Sequence, residues 1–151
     1  MSKSFSGLFS NTSGFVTETL SRAVGIRPLR STAEIWNHIE ATDTTYPGTP
    51  IPRSFVIATP GGNFWTHPNG TKHMEEALNS IKELPVLKNT NPELFSQFIL
   101  YDFRQAIIAA TSAGLPKNRT KIRSGHWEFV FSKRSSDKYP VVNHAQFLGL
   151  D

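Results

Sequence analysis

Asn91-Pro92-Glu93-Leu94-Phe95-Ser96-Gln97-Phe98-Ile99-Leu100-Tyr101-Asp102-Phe103-Arg104-Gln105-Ala106-Ile107-Ile108-Ala109-Ala110 is followed, past Gly114 and Pro116, by Trp127-Glu128-Phe129-Val130-Phe131-Ser132. The first block repeats its apolar residues with a helical period. Phe95, Phe98, Ile99, Phe103, Ala106, Ile107 and Ala110 fall on one stripe. Asn91 suits the N-cap, Pro92 the first helical position and Glu93 the first turn, while Gly114 and Pro116 end the helix. The second block switches to a period of two. Trp127, Phe129 and Phe131 alternate with Glu128, Val130 and Ser132, as in a strand with one buried face. That switch predicts a long core helix lying on a sheet.

The flanking sequence fits the same picture. Residues 54–59 and 63–67 read as strands around the turn Pro60-Gly61-Gly62, which makes a hairpin. Residues 140–147 read as a last strand, joined to 127–132 by the polar turn 133–138. Met74, Ala77, Leu78 and Ile81 recur at i, i+3, i+4 and i+7, so a helix is expected from about Thr71 to Glu83, stopped by Pro85. Shorter helices are expected over residues 15–24 and from Thr32 to Ala41, where Ile35, Trp36 and Ile39 share a face. Three prolines between Pro47 and Pro52 forbid regular structure there. The expected class is α+β, with N-terminal helices and the long core helix packed on a small antiparallel sheet of two hairpins. Residues 1–30, rich in Ser, Thr and Gly, read as a weakly ordered linker, and residues 31–151 as one folded domain.

Bulk composition narrows the function classes. The chain holds 11 Phe, 3 Tyr and 3 Trp, enough for a packed core, and no apolar run long enough to span a bilayer. Its N-terminus does not read as a signal peptide. With no cysteine there is no disulfide scaffold, thiol nucleophile or zinc–thiolate site. The net charge of +4 lies wholly in the last third, where residues 101–151 carry eight basic and four acidic groups. Such a surface suits a polyanion, and equally suits a solvated face.

The densest group of titratable residues is His67-Pro68-Asn69-Gly70-Thr71-Lys72-His73, at an expected strand-to-helix junction. Cleaving RNA without a metal needs a base for the 2′-hydroxyl, an acid for the leaving 5′-oxygen and a cation for the phosphorane. His67, His73 and Lys72 are the residue types for those roles. His73 is expected in the first helical turn, where the dipole disfavours imidazolium. The plain alternative has His67 as an exposed turn residue, Lys72 paired with Glu76 and His73 on the surface. Lys117, Arg119, Lys121 and Arg123 point one way if that segment is extended, and with Lys133 and Arg134 they form a candidate phosphate-binding strip. His126, Glu128 and Ser132 are expected to project opposite the aromatic row, near His144, where a Glu–His pair serves either catalysis or structure. Ser132 is a candidate phosphate donor, and Arg53, just before the first strand, a candidate phosphate ligand. His67 and His73 lack the i, i+4 spacing of a helical zinc pair, and they match a His–Asn–His nuclease only loosely.

Two separated motifs resemble C-terminal toxin domains of bacterial polymorphic toxins, the contact-dependent inhibition and Rhs-type effectors. One is Ile51-Pro52-Arg53-Ser54-Phe55 with His67-Pro68-Asn69-Gly70-Thr71-Lys72-His73-Met74. The other is Gly125-His126-Trp127-Glu128-Phe129-Val130-Phe131-Ser132 with Pro140-Val141-Val142 and His144-Ala145. The resemblance covers about residues 47–148. It implies an RNase-toxin-like fold of the barnase–EndoU–colicin–RelE type and a metal-independent endoribonuclease acting on tRNA or a related structured RNA. Together with the reading of the residues, it makes His67, Lys72, His73, Ser132 and Arg53 the candidate catalytic groups. RNA binding then falls to Lys117, Arg119, Lys121, Arg123, Lys133, Arg134 and His144. It implies no cofactor, no bound metal and no stable membrane association. The domain is expected to be a monomer when free, delivered as part of a larger effector into the cytoplasm of a target bacterium and neutralised by an immunity protein. A metal-dependent nuclease, a non-catalytic RNA- or protein-binding module and an immunity or adaptor protein are the competing readings.

Overall fold

The computed structural model describes residues 32–83 and 91–149. The linker expected over 1–30, its helix at 15–24 and the stop at Pro85 lie outside the described residues.

The long helix forms where the pattern places it. Helix α2 (Pro92–Ala110) starts with Asn91 Oδ1 accepting the Glu93 N–H at 2.9 Å, with proline at the first helical position. Its stripe is buried: Phe95, Phe98, Ile99, Phe103 and Ile107 are all at most 2% exposed. The stripe lies against the strands. Phe103 meets Phe55, Trp127 and Phe129 with ring centroids 6.1, 5.3 and 5.8 Å away. The molecule is therefore α+β, one sheet with its helical layer.

The sheet is larger than two hairpins and is mixed. Its strands are β1 (Ile39–Ala41), β2 (Phe55–Thr59), β3 (Gly62–Thr66), β4 (Lys121–Ser124), β5 (Trp127–Ser132) and β6 (Val141–Phe147). They lie in the order β1-β2-β3-β6-β5-β4. Hairpins β2–β3 and β5–β6 form as expected, but they join through a parallel pairing of β3 with β6, at Trp65↔Val141 and Thr66↔Val142. Two short edge strands complete the sheet. Residues 32–38 form a 3-10 helix, and the expected continuation of that helix is instead β1, with Ile39 opposite Ile57. Pairing with β2 outweighs helix propensity here, because the strand also sets Ile39 against the core.

Helix α1 (Pro68–Lys82) begins three residues earlier than its apolar spacing suggests. Pro68 takes the first helical position and His67 the cap: the His67 carbonyl accepts the Gly70 N–H at 2.8 Å, and Nδ1 accepts the Asn69 N–H at 3.0 Å. His73 consequently lies in the second turn, beyond the free N–H groups of the helix start, so the expected dipole effect does not reach it. Met74 and Leu78 are fully buried; the Ile81 side chain is outside the described set. Helix α1 follows β3 directly and packs beside β6. A Cβ at Gly70 would sit 3.4 Å from that of Ala145, so the approach is close enough that only a small residue fits.

Thr66 is fully buried, and its Oγ1 has no hydrogen-bond partner among the described residues. An unsatisfied buried hydroxyl costs about 1–3 kcal/mol. The isosteric Thr66→Val is expected to raise unfolding free energy by about 1 kcal/mol in urea titrations. A loss of stability instead would show that the hydroxyl is bonded.

Candidate functional site

Strand alternation builds the site. Trp127, Phe129 and Phe131 are fully buried under α2, so Glu128, Val130 and Ser132 project from the opposite face of β5. Register then extends that face across neighbouring strands. Lys121 lies opposite Val130 and Arg123 opposite Glu128, while His144 lies opposite Val130 on the other side. Ser132, Val141 and Trp65 form a row across β5, β6 and β3. A bulge between Val130 and Phe131 leaves Asn143 as the extra residue on β6.

Two groups of functional side chains result. In the first, His144 Nε2 and Glu128 Oε1 are 3.0 Å apart, with Lys121 Nζ 4.0 Å from the same oxygen. His73, arriving from α1, meets the His144 ring edge-on with centroids 5.5 Å apart. His73 Nδ1 is 2.9 Å from Glu76 Oε1. Each imidazole thus has one nitrogen on a carboxylate, and among the described residues no hydrogen bond engages His73 Nε2 or His144 Nδ1. Both rings are partly exposed, at 29% and 24% of their side-chain area.

The second group lines a cleft of about 230 Å³ with walls from Trp65, His67, Arg119, Ser132, Arg134 and Asn143, closed by Asp137 and Val141. The His67 N–H donates to the Val142 carbonyl, which fastens the ring beside β6. Asn143 Nδ2 donates to Ser132 Oγ at 2.5 Å. Asp137 accepts the Arg134 backbone N–H at 2.8 Å and its guanidinium at 3.2 Å. These bonds, led by the backbone N–H, hold the Asp137 carboxyl below the usual carboxylate range. Arg119 has φ +58°, a left-handed conformation that costs a non-glycine residue about 1–2 kcal/mol. It is held there by its N–H bond to the Phe131 carbonyl, 2.8 Å.

The structure therefore separates residues that the sequence places together. His67 and Ser132 share the cleft, whereas His73 joins His144 and Glu128. Lys72 is exposed on α1 with no ion pair among the described residues, and Glu76 takes His73 in its place. Arg53 is in neither group: its guanidinium lies 5.2 Å from the Tyr46 ring centre and donates to Thr44 Oγ1 at 3.3 Å. Lys117 and Arg119 sit in a turn before β4, so of the expected strip only Lys121 and Arg123 share a strand face. Lys133 is exposed, with Nζ donating to the Arg134 carbonyl. His126 does not project with Glu128. It turns to Asp102, Nδ1 to Oδ2 3.5 Å, beside the buried Trp127–Asp102 hydrogen bond of 3.0 Å. Burial pushes the Asp102 carboxyl up, and its bonds to Trp127 and His126 act against that.

The sequence alone points to no role for Trp65, Asn143 or Asp137, offers Glu76 only as a partner for Lys72, and leaves Glu128 between catalysis and structure. The i, i+3 spacing of His73 and Glu76 was a usable signal; Asn143 had none, because its position depends on the bulge. Among the described residues, no three His, Asp or Glu side chains are arranged to hold a metal ion, and no helix is long and apolar enough to cross a membrane. No protein-family model and no curated protein matches this sequence.

Proposed function

We propose that this chain is an antibacterial toxin domain, a ribonuclease that cleaves tRNA or a related structured RNA without a metal. The observation that carries the proposal is the facing pair His73 and His144, each oriented by its own carboxylate on an exposed face bearing Lys121 and Arg123. In this reaction the 2′-oxygen attacks the adjacent phosphorus and the P–O5′ bond breaks. One imidazole removes the 2′-hydroxyl proton while the other, protonated, gives its proton to the leaving 5′-oxygen. Products are a 2′,3′-cyclic phosphate and a 5′-hydroxyl. Glu76 and Glu128 fix ring orientation and tautomer, as carboxylates do for catalytic histidines. Lys121 and Arg123 neutralise the phosphate, with the exposed Lys72 and Lys117 adding to the field over the RNA. The sequence resemblance adds the biological setting: delivery within a larger effector, action in the cytoplasm of a target bacterium and a cognate immunity protein.

The test is incubation of the purified protein with total bacterial RNA, with and without EDTA. Discrete tRNA fragments ending in 2′,3′-cyclic phosphate, unchanged by chelation, are expected. Intact RNA in both arms overturns the nuclease reading, and fragments only in the arm without chelator overturn its metal independence.

A further inference from the structure

We propose that the Trp65–His67–Ser132 cleft is a phosphate-binding subsite separate from the catalytic pair, and that His67 acts there as a hydrogen-bond donor and not as an acid or base. The inference rests on the nuclease reading for its natural ligand, a phosphodiester next to the scissile one, and on the cleft's own geometry for its chemistry.

The hydrogen bonds determine what each wall presents. His67 Nδ1 accepts the Asn69 N–H, so that nitrogen carries no proton and the ring's N–H is at Nε2. Serving as a base through Nδ1 would break the cap of α1. Ser132 Oγ accepts from Asn143, which leaves its own O–H to donate. Arg119 and Arg134 have only donors. Among the described residues Asp137 is the one carboxylate lining the cleft, and Arg134 occupies both its oxygens. The polar lining therefore offers N–H and O–H groups from four side chains and keeps a net positive charge through Arg119. A phosphate oxyanion satisfies such donors, and charge-assisted bonds of this type are the strong ones. A neutral or cationic ligand leaves them unmatched.

The placement fits a polymer. The His67 backbone is fastened to Val142, and His144 lies on the same strand just across the Asn143 bulge. A chain lying along β6 presents one phosphate to the facing imidazoles and a neighbouring one to the cleft.

Binding is read from heteronuclear NMR spectra of the whole chain, following the His67 ring and the Trp65 indole. The two probes are inorganic phosphate and an uncleavable single-stranded deoxytetranucleotide. Both are expected to shift the His67 and Trp65 signals, and Arg119→Gly is expected to weaken either probe at least about tenfold. Glycine is at home at φ +58°, so this variant folds as well as the parent or better, which separates lost affinity from lost structure. His67→Gln, which keeps a donor, retains binding, and His67→Leu loses it; His73→Ala leaves phosphate binding in the cleft unchanged. The proposal is overturned if phosphate moves only signals around His73 and His144, or if Arg119→Gly binds like the parent. A response to phosphate with none to the oligonucleotide overturns the assignment to a nucleic-acid backbone. RNA left intact while the cleft binds both probes sinks the nuclease reading alone; RNA cleaved with no cleft response sinks this inference alone.

Discussion

If the chain is the proposed ribonuclease, His73→Ala and His144→Ala are each expected to lower the rate of RNA cleavage by about 10²- to 10⁴-fold, the range that one positioned acid or base supplies. The two rings face each other at 5.5 Å, each with one nitrogen on a carboxylate and the other without a hydrogen bond among the described residues, so both protons of the proposed reaction have a carrier. Because the pair works as a unit, the double variant falls little further than either single one. The parent gives a bell-shaped pH–rate curve, and each single variant loses one limb of it. Glu128→Gln keeps an acceptor near His144 and loses the charge. It retains more activity than His144→Ala, and its defect lies in kcat rather than KM, as for a positioning residue. Neither imidazole is buried in the core, so melting temperatures stay near that of the parent. A folded His144→Ala that cleaves at the parent rate removes the pair from catalysis.

Phe103→Ala is expected to cost about 3–5 kcal/mol of unfolding free energy. The ring is fully buried and is the hub between α2 and the sheet, in contact with Phe55 of β2 and with Trp127 and Phe129 of β5. Removing it loses the transfer free energy of the side chain and leaves a cavity that aromatic neighbours on a sheet cannot collapse into. Domains of this size have about 5–15 kcal/mol in all, so a large part of the variant unfolds near body temperature. Urea titration should show the midpoint fall with an unchanged slope. A loss below about 1 kcal/mol would mean that the aromatic cluster is loosely packed. The experiment also bears on the site, since β5 is the strand that holds Glu128 and Ser132 on its other face.

The two expectations draw on different kinds of information. Phe103 was readable from spacing alone: it falls on the helical stripe bounded by Asn91 and Gly114, and a stripe of that length has to be buried. The alternation of Trp127, Phe129 and Phe131 likewise announced that Glu128 and Ser132 share the other face. The polar turn after Ser132 predicts a β5–β6 hairpin with His144 near Glu128, and the two side chains are 3.0 Å apart. The partnership of His73 with His144 was not readable. It requires α1 to lie along β6, and that follows from the parallel pairing of β3 with β6 at Trp65↔Val141 and Thr66↔Val142. Nothing local to either hairpin specifies which edges of the two will join.

His67 shows the same division on a smaller scale. Its proximity in sequence to Lys72 and His73 suggested one catalytic cluster. Pro68 starts the helix one residue after His67, and 3.6 residues per turn then carries His73 along α1 while His67 stays at the cap. Residue type alone makes Arg53 a phosphate-ligand candidate and puts Lys117 and Arg119 in one basic strip with Lys121 and Arg123; local contacts decide otherwise, Tyr46 for Arg53, a turn for Lys117 and the Phe131 carbonyl for Arg119.

Periodicity, caps and turn residues thus determine the α+β class, the limits of α2, the two hairpins and the residues that line the core, because each rests on contacts within one or two turns of chain. The six-strand order, the mixed sheet, the edge strand β1 and the division of the histidines between a facing pair and the cleft beside Trp65 and Ser132 are settled by tertiary structure. Those features depend on which sheet edges and helix faces meet across many residues, and pairing energies between distant segments leave no local mark in the order of the amino acids.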